Sequence, residues 1–185
     1  ENYKTLLKFD AKRDSLPGFM GANAEQLARC EERYGIPREA LAAVIGIESG
    51  FGQYRGAFYA FNVYVSMYMK NYRRSFAVSQ LSELLAFCRR TGKDMFELNS
   101  SYAGAIGYMQ FIPYSLNHWF VGDDVYNMDD AIASTANYLS YFKKRRGSLE
   151  RALYAYNPSR YYVTFVLELA ETAKNGEKNA QEGGR

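Results

Sequence analysis

Glycine and proline stand at nearly every break between segments whose apolar residues recur at helical spacing. Asn23 is placed to cap a helix over residues 23–34, and Gly35 lies just past its end. Pro37 opens the next helix at its first position, and Gly50 closes it. Residues 57–70 are aromatic and Met-rich and read as a buried helix. Residues 74–91 form an amphipathic helix ending at Gly92, with a short helix around 94–98. Pro113 starts another short helix. Asn127 caps a helix over 128–144, with Asp129 and Asp130 in its first turn and Lys143, Lys144, Arg145 and Arg146 at its end, a charge order that opposes the helix dipole. Ser148 caps a helix reaching Tyr156, Pro158 ends it, and a last helix covers 160–173. No window alternates over strand lengths with turn signals at both ends. The pattern predicts an all-α fold in a single domain over residues 1–173, followed by a polar tail, 174–185, expected to be disordered.

Several function classes fall away on composition. The net charge of +3, from 23 basic and 20 acidic residues, lacks the concentrated basic footprint of a nucleic-acid binder. No apolar run approaches the roughly 18 residues of a membrane span. The first ten residues, ENYKTLLKFD, are polar and carry no signal-peptide pattern, so the protein is either cytoplasmic or has lost a targeting segment. Cys30 and Cys88 either pair in an oxidising compartment or serve as small buried hydrophobes. With one histidine, His118, and no CxxC, a zinc site is not expected. The 17 tyrosines exceed what a core alone uses, because each hydroxyl needs a partner or water. A Tyr-lined groove suits a sugar chain, although core and rim positions account for most of them.

Glu48 is the residue with the most chemical content. Leu41, Val44 and Ile45 lie seven, four and three positions before it, on its own helical face. Its carboxyl therefore points where a core or cleft should be, in a last turn whose dipole disfavours negative charge. Desolvation and dipole both raise its pKa, as a general acid working near neutrality requires. The competing reading pairs it with Arg55, Arg73 or Arg74. No further Asp or Glu occurs until Glu83. Ordinary glycosidases use two carboxylates, so a lone acid suggests a substrate that supplies its own nucleophile.

Three ordered segments, VIGIESGFG (44–52), SYAGAIGYMQFIP (101–113) and ALYAYNPSRYYV (152–163), resemble the lytic transglycosylases of the lysozyme-like superfamily. The similarity is to the membrane-bound lytic transglycosylase B type, glycoside hydrolase family 103, and DAIASTANYL (130–139) matches that family's intervening helix. It covers roughly residues 35–170. The resemblance implies a lysozyme-like helical domain with a substrate cleft, and roles for individual residues. Glu48 is the implied catalytic acid and base. Ser101 is implied to position the N-acetyl group or the intermediate, and Gln110 to bind substrate. Tyr156 and Asn157 line the catalytic centre in this reading, with Tyr162 and Tyr138 as further substrate-binding tyrosines. The residue chemistry agrees: Gly104 and Gly107 allow close backbone approach, and the Gln110 amide both donates and accepts. Without the resemblance, capping or turn roles are the better reading of Gln110 and Asn157, and packing roles for the glycines are equally available.

The resemblance further implies cleavage of the β-1,4 bond between MurNAc and GlcNAc in peptidoglycan strands, without hydrolysis, leaving a 1,6-anhydro product. A lysozyme-type hydrolase, selective for glycan acetylation state, is the alternative with the same residue. An inactive glycan-binding module is the alternative from another class. Many members of the type carry a calcium loop of spaced aspartates before the DAI helix, but here the connection is VGDDVYNM (121–128) with Asp123 and Asp124 adjacent. Neither a structural calcium nor any cofactor is expected. A monomer in the periplasm or envelope follows from the implied substrate.

Overall fold

A computed structural model describes residues 8–182, with side chains through Gly176. Its helices are α1 (Phe9–Ala22), α2 (Ala24–Tyr34), α3 (Arg38–Ser49), α4 (Ala60–Met69), α5 (Arg74–Thr91), α6 (Pro113–Trp119), α7 (Met128–Arg146), α8 (Leu149–Tyr156) and α9 (Arg160–Glu182). The strands β1 (Phe58–Tyr59) and β2 (Asn99–Ser100) pair antiparallel, with Phe58 opposite Ser100. The polar segment at residues 1–7 lies outside the described residues.

The fold is built around α3. Ala40 to Gly46 are all buried, so this helix is enclosed on every side rather than along one stripe. It packs against α1, α2, α7 and α9. Glu48 thus owes its setting less to one apolar face than the periodicity suggested. The consequence is stronger: the helix runs buried from Ala40 to Gly46 and delivers Glu48 to its half-buried last turn. Helices α4, α5 and α6 pack successively beside this bundle.

Most helix ends obey the local chemistry. Asn127 accepts a bond from the Asp130 N–H, and Ser148 accepts one from the Arg151 N–H. Gly35, Gly50 and Gly92 each end a helix in the left-handed conformation. Pro37 sits one position earlier than expected, as the N-cap of α3. Asn23 makes no side-chain cap and instead donates to the Phe19 carbonyl at 2.8 Å.

Other expectations are corrected. Helix α1 escaped the sequence reading because Pro17, Gly18 and Gly21 look like breakers. Pro17 is exposed, and burial of Phe9, Leu16 and Met20 holds the helix despite the missing N–H. Residues 57–70 are not uniformly buried: Val63 and Tyr64 are, while Phe58 is 52% and Met69 75% exposed. Residues 95–97 form a turn rather than a helix, with the Asp94 carboxylate accepting from the Phe96 N–H at 2.8 Å. Helix α9 continues to Glu182 instead of stopping near 173, consistent with the helix-forming Ala, Glu and Lys residues past that point. Cys30 and Cys88 are buried free thiols.

Candidate active site

Glu48 occupies the last turn of α3, and the chain turns sharply just after it. Gly50, Phe51 and Gly52 all have positive φ, at 58°, 60° and 85°. For Phe51 this is a costly conformation, offset by packing of its ring against Phe19, with centroids 4.8 Å apart and planes tilted by 35°. The ring also lies over Gly46, where an added Cβ would come within 2.6 Å of it. Ser49 fastens the turn: its hydroxyl donates to the Ile45 carbonyl at 3.1 Å and accepts from the Gly52 N–H at 3.0 Å. The direction of Glu48 is thus fixed by local strain and packing.

The Glu48 carboxyl is pushed up to about 7 by desolvation, and only the Tyr162 hydroxyl acts against this. The residue as a whole is half-buried rather than sealed in the core. Among the described residues, no ion pair reaches Glu48 and no second carboxylate perturbs it. The expected arginine partners are engaged elsewhere. Arg55 lies over the Tyr108 and Tyr126 rings, Arg73 over Phe76 and Arg74 over Tyr68.

Tyr162 and Tyr156 flank the carboxyl. Burial, then the nearby Glu48, raises both phenols well above their ordinary value. The two rings stack in parallel, 6.3 Å apart with 10° between planes. Tyr162 is only 2% exposed, yet its hydroxyl closes no hydrogen bond of ordinary geometry. The Tyr156 hydroxyl donates to the Met109 carbonyl at 2.5 Å, tying α8 to the loop that carries Gln110. Tyr138 lies behind Tyr156, with centroids 4.8 Å apart, and spends its hydroxyl on the Ala155 carbonyl at 2.8 Å.

The loop from Ser100 to Ile112 is folded on itself. Ser101 Oγ accepts from the Ala103 and Ala105 N–H groups, at 3.3 and 3.2 Å. Gly104 is seated on Tyr64, whose hydroxyl donates to the Gly104 carbonyl at 2.8 Å, and a Cβ there would strike the ring. Ile106 pairs with Phe111 across the bend. Gln110 sits at the bend with φ of 50°, and its Nε2 donates to the Gly107 carbonyl at 2.8 Å, which leaves its Oε1 to accept. Asn157 ends α8, with its N–H donating to the Leu153 carbonyl at 3.0 Å.

The structure therefore brings Glu48, Tyr156 and Tyr162 together, with Gln110 one residue from the carbonyl that Tyr156 holds. Ser101 spends its hydroxyl within its own loop, and Asn157 directly follows Tyr156 at the end of α8. Three contributors escaped the sequence reading. Tyr64 seats the loop, Phe51 braces the turn, and Thr135 is fully buried beside the Tyr156 hydroxyl with its own Oγ1 unsatisfied. Thr135 lay in a matched segment, but nothing in its spacing marked it.

The 121–128 connection does not fit a calcium ion. The Asp130 carboxylate accepts from the Asp123 and Asp124 N–H groups, both at 3.0 Å, and Asp124 Oδ1 accepts from the Tyr126 N–H and meets Lys93 Nζ at 3.5 Å. These oxygens serve the loop itself.

A helical fold wrapped around one largely buried helix thus carries a single elevated carboxyl between two tyrosines. The chain belongs to the transglycosylase SLT domain family, whose model matches residues 10–150. It is 29% identical over 129 residues to membrane-bound lytic murein transglycosylase B of Escherichia coli strain K12, a match covering 68% of this chain and 36% of that protein. The chain thus spans about a third of that relative's length. The fold is shared with soluble lytic transglycosylase SltB1 of Pseudomonas aeruginosa (TM-score 0.86, 22% identity, 96% of this chain and 84% of that one). It is also shared with Escherichia coli Slt35 bound to bulgecin A (0.80, 19%, 89% and 74%). SltB3 of Pseudomonas aeruginosa, solved with NAG-anhNAM-pentapeptide, is a further neighbour (0.81, 21%, 88% and 63%).

Proposed function

We propose that this domain cleaves the β-1,4 bond between MurNAc and GlcNAc in peptidoglycan, without water, using Glu48 as both acid and base. The observation that carries this reading is the elevated Glu48 carboxyl with no second carboxylate acting on it. With a value of about 7, the carboxyl is substantially protonated near neutral pH. It donates its proton to the glycosidic oxygen as the C1–O bond breaks. The substrate's 2-acetamido oxygen stabilises the cation developing at C1. The Glu48 carboxylate then takes the proton of the C6 hydroxyl, whose oxygen closes the 1,6-anhydro ring on C1. The proton count balances, and no water is consumed.

The surrounding groups have matching roles. Gln110 Oε1 is available to accept from a sugar hydroxyl or acetamido N–H. The unsatisfied Tyr162 hydroxyl donates to the Glu48 carboxylate formed after the first step. Tyr156 and Tyr138 form the aromatic wall behind it. Ser101 holds the loop and faces the N-acetyl group, and Asn157 borders the reacting sugar. The protein works as a monomer at the cell envelope, where its polymeric substrate lies. No helix among the described residues is long and apolar enough to cross a membrane. The names of its relatives, and the anhydro ligand bound to SltB3, support the same chemistry.

The direct test is clearing of purified sacculi by the native protein and by Glu48→Gln. Loss of clearing in a folded variant is expected. A Gln variant that still clears sacculi would remove Glu48 from the reaction.

A further inference from the structure

Away from Glu48, a cavity of about 910 Å3 opens where the end of α7 meets α8 and α9. Its α9 wall is Arg160, Val163, Thr164 and Leu167, residues three and four apart that share one helical face, and Tyr162 is not part of it. Arg145 and Arg146 reach it from α7, and Arg151 from α8. Four guanidinium groups therefore line one cavity, with Glu150 as its only acid.

Three of these exposed cations contact nearby residues without being neutralised. Arg145 lies over the Tyr141 ring and Arg146 over the Phe142 ring, each at 5.3 Å. Arg151 Nη1 donates to the Arg146 carbonyl at 3.1 Å. None of the four forms an ion pair among the described residues. A guanidinium lying over a ring keeps its outer N–H groups free to donate. Tyr154, Val163 and Leu167 add an apolar wall.

The dimensions and charges select the ligand. The cavity is far larger than one phosphate, and its cations come from separate elements, so the complement is an extended molecule with several spaced anions. Arg forks match carboxylates bidentately. Glu150 complements one amine. A peptidoglycan stem peptide has this composition: free carboxylates along a short chain and one primary amine on its diamino residue. We propose that the cavity is a second binding site, for the stem peptide of a neighbouring glycan strand, which anchors the domain on its polymer. This site rests on the peptidoglycan reading above.

The test is titration of free stem tetrapeptide, without sugar, into isotope-labelled protein, followed by NMR. Shifts are expected at Glu150, Arg160 and Thr164, and the double variant R145E/R160E should weaken binding by at least about tenfold. Both positions are exposed, so folding should survive, and R145K/R160K should retain part of the affinity because charge remains without the fork. The R145E/R160E variant should cleave a short peptide-free glycan at the native rate but act more slowly on intact sacculi. Shifts confined to the surroundings of Glu48 would overturn the proposal. So would unchanged affinity in R145E/R160E, or inorganic phosphate binding the same residues as tightly. Failure of the native protein to cleave peptide-free glycan would count against the catalytic reading alone, since the titration decides the peptide site independently.

Discussion

The Tyr162 hydroxyl is buried against the Glu48 carboxyl and is the one group that lowers its pKa, yet it closes no hydrogen bond of ordinary geometry. A buried, unsatisfied donor costs on the order of 1–3 kcal/mol unless something compensates. Here the compensation arrives when Glu48 ionises. Replacing Tyr162 with Phe should leave stability within about 1 kcal/mol of native. It should also raise the Glu48 pKa further and move the corresponding limb of the activity profile to higher pH. Activity against pH for the two proteins checks this, and coincident profiles would separate Tyr162 from the acid.

Glu48 also makes stability depend on pH in a direction unusual for a carboxyl. Its folded value is about 7, against an ordinary 4.5. Between these values the folded state keeps its proton and the unfolded state has lost it, so stability falls as pH rises from about 4.5 to about 7. The contribution is complete below that window and absent above it. Glu48→Gln removes the dependence and should be more stable than native at pH 8 by about 2–3 kcal/mol. Denaturant unfolding of both proteins at pH 4.5 and pH 8 checks the sign.

Gly104 has φ of 86° and lies against the Tyr64 ring. Gly104→Ala should cost about 2–4 kcal/mol, from the left-handed backbone and from displacement of that ring. Activity should fall by more than the folded fraction does, because the same loop carries Gln110. Thermal unfolding and sacculus clearing, measured on one preparation, separate the two effects.

Thr135 is buried with an unsatisfied hydroxyl beside that of Tyr156. Thr135→Val keeps the shape and removes the orphan oxygen, so stability should stay within about 1 kcal/mol of native or rise. If the hydroxyl holds Tyr156 in place, kcat falls while the fold is unchanged. Native kcat in the variant would assign Thr135 to packing alone.

The sequence was most legible where local chemistry decides the outcome. The Asn127 and Ser148 caps and the glycine stops at Gly35, Gly50 and Gly92 depend on a few neighbouring residues, and the structure has them. Helix α1 was hidden because tertiary burial of Phe9, Leu16 and Met20 outweighs an exposed Pro17. The partial exposure of residues 57–70 was hidden because apolar composition alone does not say which face finds a partner. At the site, the elevated Glu48 was readable from its own helix. The roles of Tyr64, Phe51 and Thr135 were not, because each comes from a contact with a residue distant in sequence or from an unusual backbone turn. The contacts of Arg55, Arg73 and Arg74 with aromatic rings, in place of an ion pair to Glu48, likewise left no trace in the sequence.

If one carboxyl performs both proton transfers, water contributes no atom to the products. Mass spectrometry of the fragments released from sacculi in 18O-labelled water reads this out. The expected fragments carry 1,6-anhydro ends, lighter than reducing ends by one water, with no label incorporated, and Glu48→Gln releases none. Labelled reducing ends released by the native protein would contradict the single-carboxyl mechanism.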